Sequence, residues 1–125
     1  MILPSLFTAY SEERGWGVYT NADIEADTII EISPVIVMSA KEKKLLDQTT
    51  LYNYIFDWTE DQCCMAMGNV PVYNHSYTSN CEYIQDFEEE VIYIKTMCAI
   101  EAGEELFVNY NGDWDDDKKV WFDVI

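Results

Sequence analysis

The sequence is organised around one central stretch, Asn74-His75-Ser76-Tyr77-Thr78-Ser79-Asn80-Cys81. Two further segments flank it, Gly15-Trp16-Gly17 near the start and Gly103-Glu104-Glu105-Leu106-Phe107-Val108-Asn109-Tyr110 near the end. Each segment is uninformative alone, because Asn-His pairs and Gly-x-Gly are frequent in turns. The interpretation therefore rests on the order, spacing and completeness of all three within one small domain.

Outside these segments the pattern is typical of short strands separated by turns. Apolar or alternating runs predict three strands, at residues 16–20, 28–32 and 35–38. Pro34 marks the end of the second strand or the edge of a sheet. The remaining strand predictions are a hairpin of residues 83–87 and 91–95, and a last strand over residues 106–110. Many short strands and no helix–strand alternation exclude a doubly wound dinucleotide-binding fold.

Two local patterns add detail. Ser39 with Glu42 forms a capping-box pattern that predicts one helix of roughly ten residues, buried through Leu45 and Leu46. After it, aromatic residues alternate with other residues over 52–58, which predicts a strand-like segment with one aromatic face; core packing alone is the simpler interpretation. A short internal echo, residues 22–27 against residues 98–103, predicts two equivalent corners of turn plus strand.

The charge balance is strongly acidic, with 24 Asp and Glu against 7 Lys and Arg and a formal net charge of -17. Direct binding to nucleic acid or to an anionic membrane is disfavoured, because both surfaces are negative. A basic protein or peptide would be attracted, although simple solubility explains the same charge. The 49% of hydrophobic residues excludes a disordered composition.

The cysteines and the N-terminus bear on location. The sequence has four cysteines and a single histidine, and no two cysteines form a Cys-x-x-Cys pair, so no zinc-site spacing exists. We expect reduced thiols at all four positions, which are Cys63, Cys64, Cys81 and Cys98. No apolar run approaches the ~20 residues of a membrane span, and the first residues lack the features of a secretory signal. We therefore expect an intracellular, cytoplasmic protein, nuclear if its substrate is chromatin.

The three segments together resemble the signature motifs of the SET-domain protein-lysine methyltransferases, most closely the minimal viral and bacterial type without cysteine-rich zinc-binding flanks. The resemblance spans residues 15–114. It implies a mainly-β fold of the β-clip type, with short strands in several small sheets, one short helix and a C-terminal pseudoknot. Residues 1–125 would be a single SET domain, with a core over about 12–114 and a short acidic and aromatic tail.

The resemblance implies transfer of a methyl group from S-adenosylmethionine to the ε-amine of a lysine in a basic, histone-like protein or tail. In-line transfer from a sulfonium requires positioning and a neutral amine, although free lysine has a pKa of about 10.4. A narrow apolar channel lowers that pKa by desolvation, and a Tyr hydroxyl at its end orients the amine.

The same resemblance assigns roles to residues. Tyr110 is the catalytic hydroxyl of the Glu-Leu-x-x-x-Tyr element. The lysine channel is lined by Tyr54, Phe56 and Val108, the last at the position where a Phe or Tyr governs how many methyl groups fit. The cofactor is held by the Gly-x-Gly backbone, by the Asn-His pair (the histidine largely through its main chain), and by a tryptophan after Tyr110; these residues are Gly15, Trp16, Gly17, Asn74, His75 and Trp114.

The sequence also departs from the family pattern. Tyr77 and Ser79 stand at the usual Cys and Pro positions, Pro71 replaces a common Arg, and Asn109 replaces the Asp before the catalytic tyrosine. The alternative interpretation is therefore a non-catalytic SET-like module that binds a basic peptide or pairs with itself. A homodimer stays open in either case. Because Val108 is small, we expect products beyond monomethyl-lysine.

Overall fold

The computed structural model describes residues 1–110 as strands with little helix. The helical elements are the α-helix α1 (Ala40–Leu46) and two 3₁₀ turns, Thr50–Asn53 and Val70–Val72. The strands are β1 (Leu6–Ser11), β2 (Gly15–Thr20), β3 (Ile29–Met38), β4 (Phe56–Asp57), β5 (Cys63–Ala66), β6 (Asn74–His75), β7 (Cys81–Asp86), β8 (Val91–Thr96) and β9 (Glu105–Val108). The mainly-β fold with one short helix is confirmed.

The strands form two small sheets. One has the order β1-β2-β9-β6 and the other the order β4-β5-β3-β8-β7. All pairings are antiparallel except that of β6 with β9, which is parallel and sets Asn74 beside Phe107 and His75 beside Val108. The β7–β8 pairing confirms the predicted hairpin. The parallel pairing brings the central motif and the last motif of the sequence into contact.

The strand β3 joins the two halves of the second sheet. Its first half pairs with β8 as far as Pro34, and its second half, from Val35, pairs with β5. The prediction of two separate strands was therefore wrong. Pro34 lies where the strand exchanges partners, a position at which a missing backbone donor is tolerated.

The internal echo corresponds to two facing corners. Ile24 and Ile100 occupy the same place in the two copies and exchange both backbone hydrogen bonds, each with an N···O distance of 2.8 Å. Both side chains are buried. The two equivalent corners predicted from the sequence thus pair with each other across the domain.

The helix is shorter and less buried than predicted. The capping box is present, with the Ser39 side chain accepting from the Glu42 backbone and the Glu42 carboxylate accepting from the Ser39 backbone. The helix nevertheless ends at Leu46. Leu45 is 62% exposed, so its prediction as a buried anchor was wrong, while Leu46 is half-buried.

The alternating aromatic segment is mostly not a strand. Its first part is the 3₁₀ turn Thr50–Asn53, and only Phe56–Asp57 pairs as β4. Tyr52 and Tyr54 are each 45% exposed, whereas Trp58 is buried. The prediction failed because these tyrosines line a surface cavity, where alternation does not arise from a pleated strand.

A buried carboxylate organises the centre of the second sheet. Glu31 on β3 is fully buried and accepts hydrogen bonds from the Ser33 hydroxyl at 2.7 Å, the Asn69 backbone at 2.8 Å and the Tyr73 hydroxyl at 2.9 Å. Burial and the nearby carboxylate raise the pKa of Tyr73, which keeps its hydroxyl a donor. The three donors compensate for the desolvation of the charge. The hydrogen bond from the Tyr73 hydroxyl to Glu31 also fixes the position of that tyrosine.

The four cysteines are free thiols, and most of them are buried. Cys63, Cys64 and Cys81 are buried free thiols and Cys98 is an exposed one. Burial raises the pKa of the three buried thiols, which keeps them protonated and unreactive. Residues 1–110 contain no helix that is both long and apolar enough to cross a membrane.

Candidate active site

The Gly-x-Gly turn packs directly on the last strand. A Cβ atom added at Gly17 would lie 2.5 Å from Glu105 Oε2 and 3.0 Å from Asn74 Nδ2. Only glycine therefore permits this approach of β2 to the two side chains. Gly15 has a φ of 75°, a left-handed conformation that also favours glycine. The sequence motif thus reflects two separate backbone requirements.

The side chain of Asn74 connects the three motifs. Its Nδ2 atom donates to the Trp16 carbonyl at 3.0 Å and to Glu105 Oε2 at 2.7 Å. The parallel β6–β9 pairing holds Asn74 beside β9, and its side chain lines a cavity against the Gly-x-Gly turn. The structure therefore brings Trp16, Gly17 and Asn74 together, which are three of the residues predicted to hold the cofactor.

Two charged residues at this site were missed from the sequence. Arg14 forms an ion pair with Glu105 at 3.3 Å and lies over the Phe107 ring, 5.1 Å from its centroid. Tyr19, opposite Glu105 on β2, donates its hydroxyl to the same carboxylate at 3.2 Å. A signal was available, because period two in β9 puts Glu105 on the same face as Phe107, opposite buried Leu106. That face is covered rather than solvated.

His75 supports the site without facing it. It is 4% exposed, lines neither cavity described below, and accepts at Nδ1 from the backbone N–H of Tyr110 at 2.9 Å. Burial lowers the pKa of His75, so the neutral ring with its proton on Nε2 is the stable form. Tyr77 packs edge-on against the imidazole, with ring centroids 4.6 Å apart. The tyrosine at the usual cysteine position is thus a packing partner of the histidine.

Tyr110 is held at several points. Its hydroxyl donates to the Tyr73 carbonyl at 2.7 Å, its N–H donates to His75, and its own carbonyl accepts from the Tyr83 hydroxyl at 3.4 Å. Burial, with smaller contributions from Tyr54 and Glu105, raises the pKa of Tyr110 to about 12. Its phenol therefore remains protonated at neutral pH and presents a neutral hydroxyl.

Two neighbouring cavities meet at this tyrosine. The first, the glycine-turn cavity, has a volume of about 450 Å³ and is lined by Arg14, Gly15, Trp16 and Asn74 among others. The second, the aromatic cavity, has a volume of about 470 Å³. Its walls include Tyr52, Tyr54, Phe56 and Tyr83. Residues that line both cavities are Asn53, Tyr54, Pro71 and Tyr110.

The aromatic cavity combines ring faces with negative charge. Phe56 and Tyr83 pack with centroids 5.1 Å apart on one wall. Asp47 and Asp57 line it together with Lys43, whose ammonium donates to Asp57 at 3.0 Å. Aromatic faces and carboxylates together suit a long, cationic side chain.

The other predicted site residues have mixed positions. Trp16 is 61% exposed and lines the glycine-turn cavity, packing against Tyr10. Val108 is 1% exposed, belongs to the buried core and lines neither cavity. Trp114 lies outside the described residues. Within residues 1–110, no cluster of three or more His, Cys, Asp or Glu side chains is arranged to hold a metal ion.

The structure has small curled sheets, a central segment paired in parallel with the last strand, and a tyrosine between two cavities. These are features of the SET-domain class. The family profile named SET domain matches residues 15–111, and the chain belongs to that family. Fold and family are those of SET-domain methyltransferases.

Similar proteins agree with this assignment. The chain is 34% identical over 114 residues to the Schizosaccharomyces pombe histone-lysine N-methyltransferase specific for H3 lysine-37, covering 90% of this chain and 74% of the relative. A candidate histone methyltransferase of Plasmodium falciparum superposes with a TM-score of 0.69 and 21% identity, over 90% of this chain and 98% of that one. A humanized mutant of the Chaetomium thermophilum Polycomb Repressive Complex 2, bound to the inhibitor GSK126, superposes with a TM-score of 0.72 and 19% identity. The match covers 93% of this chain and 16% of that one. At these identities the two structures bear on the fold.

Proposed function

We propose that this protein is a lysine N-methyltransferase that uses S-adenosylmethionine and acts on a basic, histone-like protein or tail. The observation that carries the proposal is the position of Tyr110, which lines two neighbouring cavities of different chemistry. One cavity is bounded by a glycine turn and a polar amide, and the other by aromatic rings and acidic groups. A transfer reaction between two ligands needs such a shared wall, where their reacting groups meet.

The glycine-turn cavity fits the cofactor in size and in chemistry. A volume of about 450 Å³ lies within the range for small-molecule sites. Gly15 and Gly17 would approach its methionine part through their backbone, and Asn74 would bind its amino-acid end, with Trp16 beside it. His75 would contribute its main chain. When bound, S-adenosylmethionine supplies an activated methyl group on a sulfonium.

The aromatic cavity would receive the substrate lysine. Tyr54 and Phe56 would enclose its methylene groups, and the removal of water would lower the pKa of its amine toward the neutral, nucleophilic form. Tyr110 would act as a neutral hydroxyl. Because its proton is donated to the Tyr73 carbonyl, its lone pairs remain to accept a hydrogen bond from the amine. Tyr110 is therefore an orienting group rather than a general base at neutral pH.

The substrate is best sought among histones. The Schizosaccharomyces pombe relative is named for lysine 37 of histone H3, so a peptide around that lysine is the first to test. A net charge of -17 favours any basic tail over an acidic one. A chromatin substrate would require the protein to enter the nucleus.

Calorimetric titration with S-adenosylmethionine tests the proposal. We expect binding by the unmodified protein, a loss of about tenfold or more in Asn74→Ala, and no change in Asn21→Ala, an exposed asparagine away from the site. If the unmodified protein does not bind, the titration is repeated with a Lys-rich peptide present. Absence of binding there too would contradict the proposal and favour the non-catalytic module.

A further inference from the structure

Glu105 is a nearly buried carboxylate with no role in the function proposed above. Its side chain is 6% exposed and accepts from three side chains, two of them from the first hairpin and one from the central segment. These donors are Arg14 at 3.3 Å, Tyr19 at 3.2 Å and Asn74 at 2.7 Å. The bond to Asn74 is the shortest of the three. It is also one that reaches a residue lining the glycine-turn cavity.

The two partners of the Asn74 amide nitrogen are both acceptors. One is the Glu105 carboxylate and the other is the Trp16 carbonyl. A flipped amide would set its oxygen against two other oxygens, so the chemistry of the partners determines which way the amide points. No hydrogen bond to Asn74 Oδ1 is formed within the described part of the chain. The oxygen is therefore the group that the amide offers to a ligand.

We propose that Glu105 is a positioning residue that fixes the Asn74 amide with its oxygen available to the cavity, so that the site selects a ligand carrying an ammonium group. The inference rests on the proposed cofactor. Of the groups on its amino-acid end, the α-ammonium is the donor that an amide oxygen recognises. Arg14, paired with the same carboxylate and lining the same cavity, supplies positive charge for the adjoining α-carboxylate.

A purely structural role for Glu105 makes a different prediction. A carboxylate that only ties β2 to β9 would affect every ligand of the cavity equally, through stability. A carboxylate that orients Asn74 affects ligands according to whether they carry the ammonium. The neighbouring Glu104 offers a matched control, because it is exposed and its side chain accepts from the Glu101 backbone, at 2.6 Å.

The test is calorimetric titration with S-adenosylhomocysteine and with its analogue that lacks the α-amino group. The variants are Glu105→Gln, Asn74→Asp, the double variant Asn74→Asp/Glu105→Gln, and Glu104→Gln. Thermal unfolding of each variant identifies any that does not fold. In Glu105→Gln we expect binding of S-adenosylhomocysteine to weaken about tenfold more than binding of the analogue, because both compounds keep the α-carboxylate near Arg14 and only the former uses the amide oxygen.

The aspartate variants provide a rescue. Asn74→Asp sets two carboxylates against each other and should weaken binding of S-adenosylhomocysteine by about a hundredfold. The added Glu105→Gln supplies an N–H donor to the carboxylate introduced at position 74, and the double variant should regain at least about tenfold. Glu104→Gln should bind like the unmodified protein.

The outcomes separate the two claims. If the unmodified protein binds neither compound, either alone or with a Lys-rich peptide present, the proposed function fails and this inference fails with it. If it binds S-adenosylhomocysteine but Glu105→Gln weakens both compounds equally or neither, and the double variant is no better than Asn74→Asp, the inference alone is overturned. Selective weakening in Glu105→Gln supports the inference even if both aspartate variants fail to fold.

Discussion

At the scale of single residues, the site depends on hydrogen bonds between side chains and backbone atoms. The Tyr110 hydroxyl is fixed by a carbonyl, and its N–H is fixed by the His75 ring. The sequence motifs predicted Gly17, Asn74 and Tyr110 as parts of one site; in the structure Asn74 and Tyr110 line the same cavity, and Gly17 lies against Asn74. The alternation in β9 indicated a covered face for Glu105, but its hydrogen-bond partners could not be predicted, because residues 14–19 and Asn74 are far from it in sequence and meet it only after folding.

His75 should make stability depend on pH in a narrow window. Burial lowers its pKa below the usual value of about 6.5, so the unfolded chain takes up a proton before the folded one does. The stabilising contribution of the buried, neutral His75 ring is complete above pH about 6.5 and is lost as the pH falls below that value. We expect the free energy of unfolding in urea to decrease between pH about 7 and about 5.5, where few carboxylates titrate.

The chain contains a single histidine, which makes the control simple. His75→Gln should be less stable at neutral pH but should show a much smaller change in the free energy of unfolding across the same window. An equal pH dependence in both proteins would show that other groups are responsible.

Val108 tests how many methyl groups are transferred. The resemblance to the family predicts that the unmodified enzyme forms di- or trimethyl-lysine. Val108 lines neither cavity in the structure, so Val108→Tyr restricts the product only if its longer side chain reaches the aromatic cavity and its hydroxyl holds water against the amine. Since Val108 is buried in the core, the larger side chain should also lower the free energy of unfolding by about 1–3 kcal/mol. Mass spectrometry of the product and urea unfolding measure the two effects.

Val108→Phe is the matched control, because it adds similar bulk without the hydroxyl. It should be destabilised like Val108→Tyr and restrict the product less. Only monomethyl-lysine from the unmodified enzyme would refute the hypothesis.

At the scale of elements, the central segment is tied to β9 by side chain as well as backbone. Asn80 donates through Nδ2 to the Glu105 carbonyl at 2.9 Å and accepts at Oδ1 from the Phe107 N–H at 2.8 Å. The capping box and the hairpin were predictable because their interactions are local. The β6–β9 pairing was not, because it joins residues about thirty positions apart through a strand of only two residues. The aromatic segment was misread because exposed cavity walls can imitate strand alternation.

Asn80→Ala should therefore loosen the connection between the central segment and the last strand. The substitution removes two hydrogen bonds and leaves the Phe107 N–H without its acceptor, which should lower the free energy of unfolding by about 2 kcal/mol. Urea unfolding measures the loss, with Asn21→Ala as the exposed control. Equal stability of the two variants would show that the backbone pairing alone holds the segment.

At the scale of the whole molecule, the two cavities lie in a strongly acidic protein. A net charge of -17 would attract a basic tail but would also raise the pKa of the proposed substrate lysine, which must lose its proton. In the proposed mechanism, the half-buried position of Tyr110 and the aromatic walls beside it would counteract this effect locally, because desolvation would outweigh the more distant, salt-screened charges.

Steering by this charge predicts a dependence on ionic strength. Raising NaCl from about 0.05 M to about 0.5 M should increase the KM for a basic histone peptide several-fold, because salt screens the attraction. A peptide with neutral residues around the target lysine should respond much less. A KM that stays constant for both peptides would argue against electrostatic steering.

The most direct test of the central claim is methyl transfer itself. Unmodified protein, Tyr110→Phe and the distant control Tyr93→Phe are incubated with S-adenosylmethionine and histone H3, and methylated lysine is quantified by mass spectrometry. We predict transfer by the unmodified protein and by Tyr93→Phe, and a rate at least about a hundredfold lower in Tyr110→Phe with cofactor binding retained. Equal rates in Tyr110→Phe and the unmodified protein would contradict the role of the tyrosine between the two cavities.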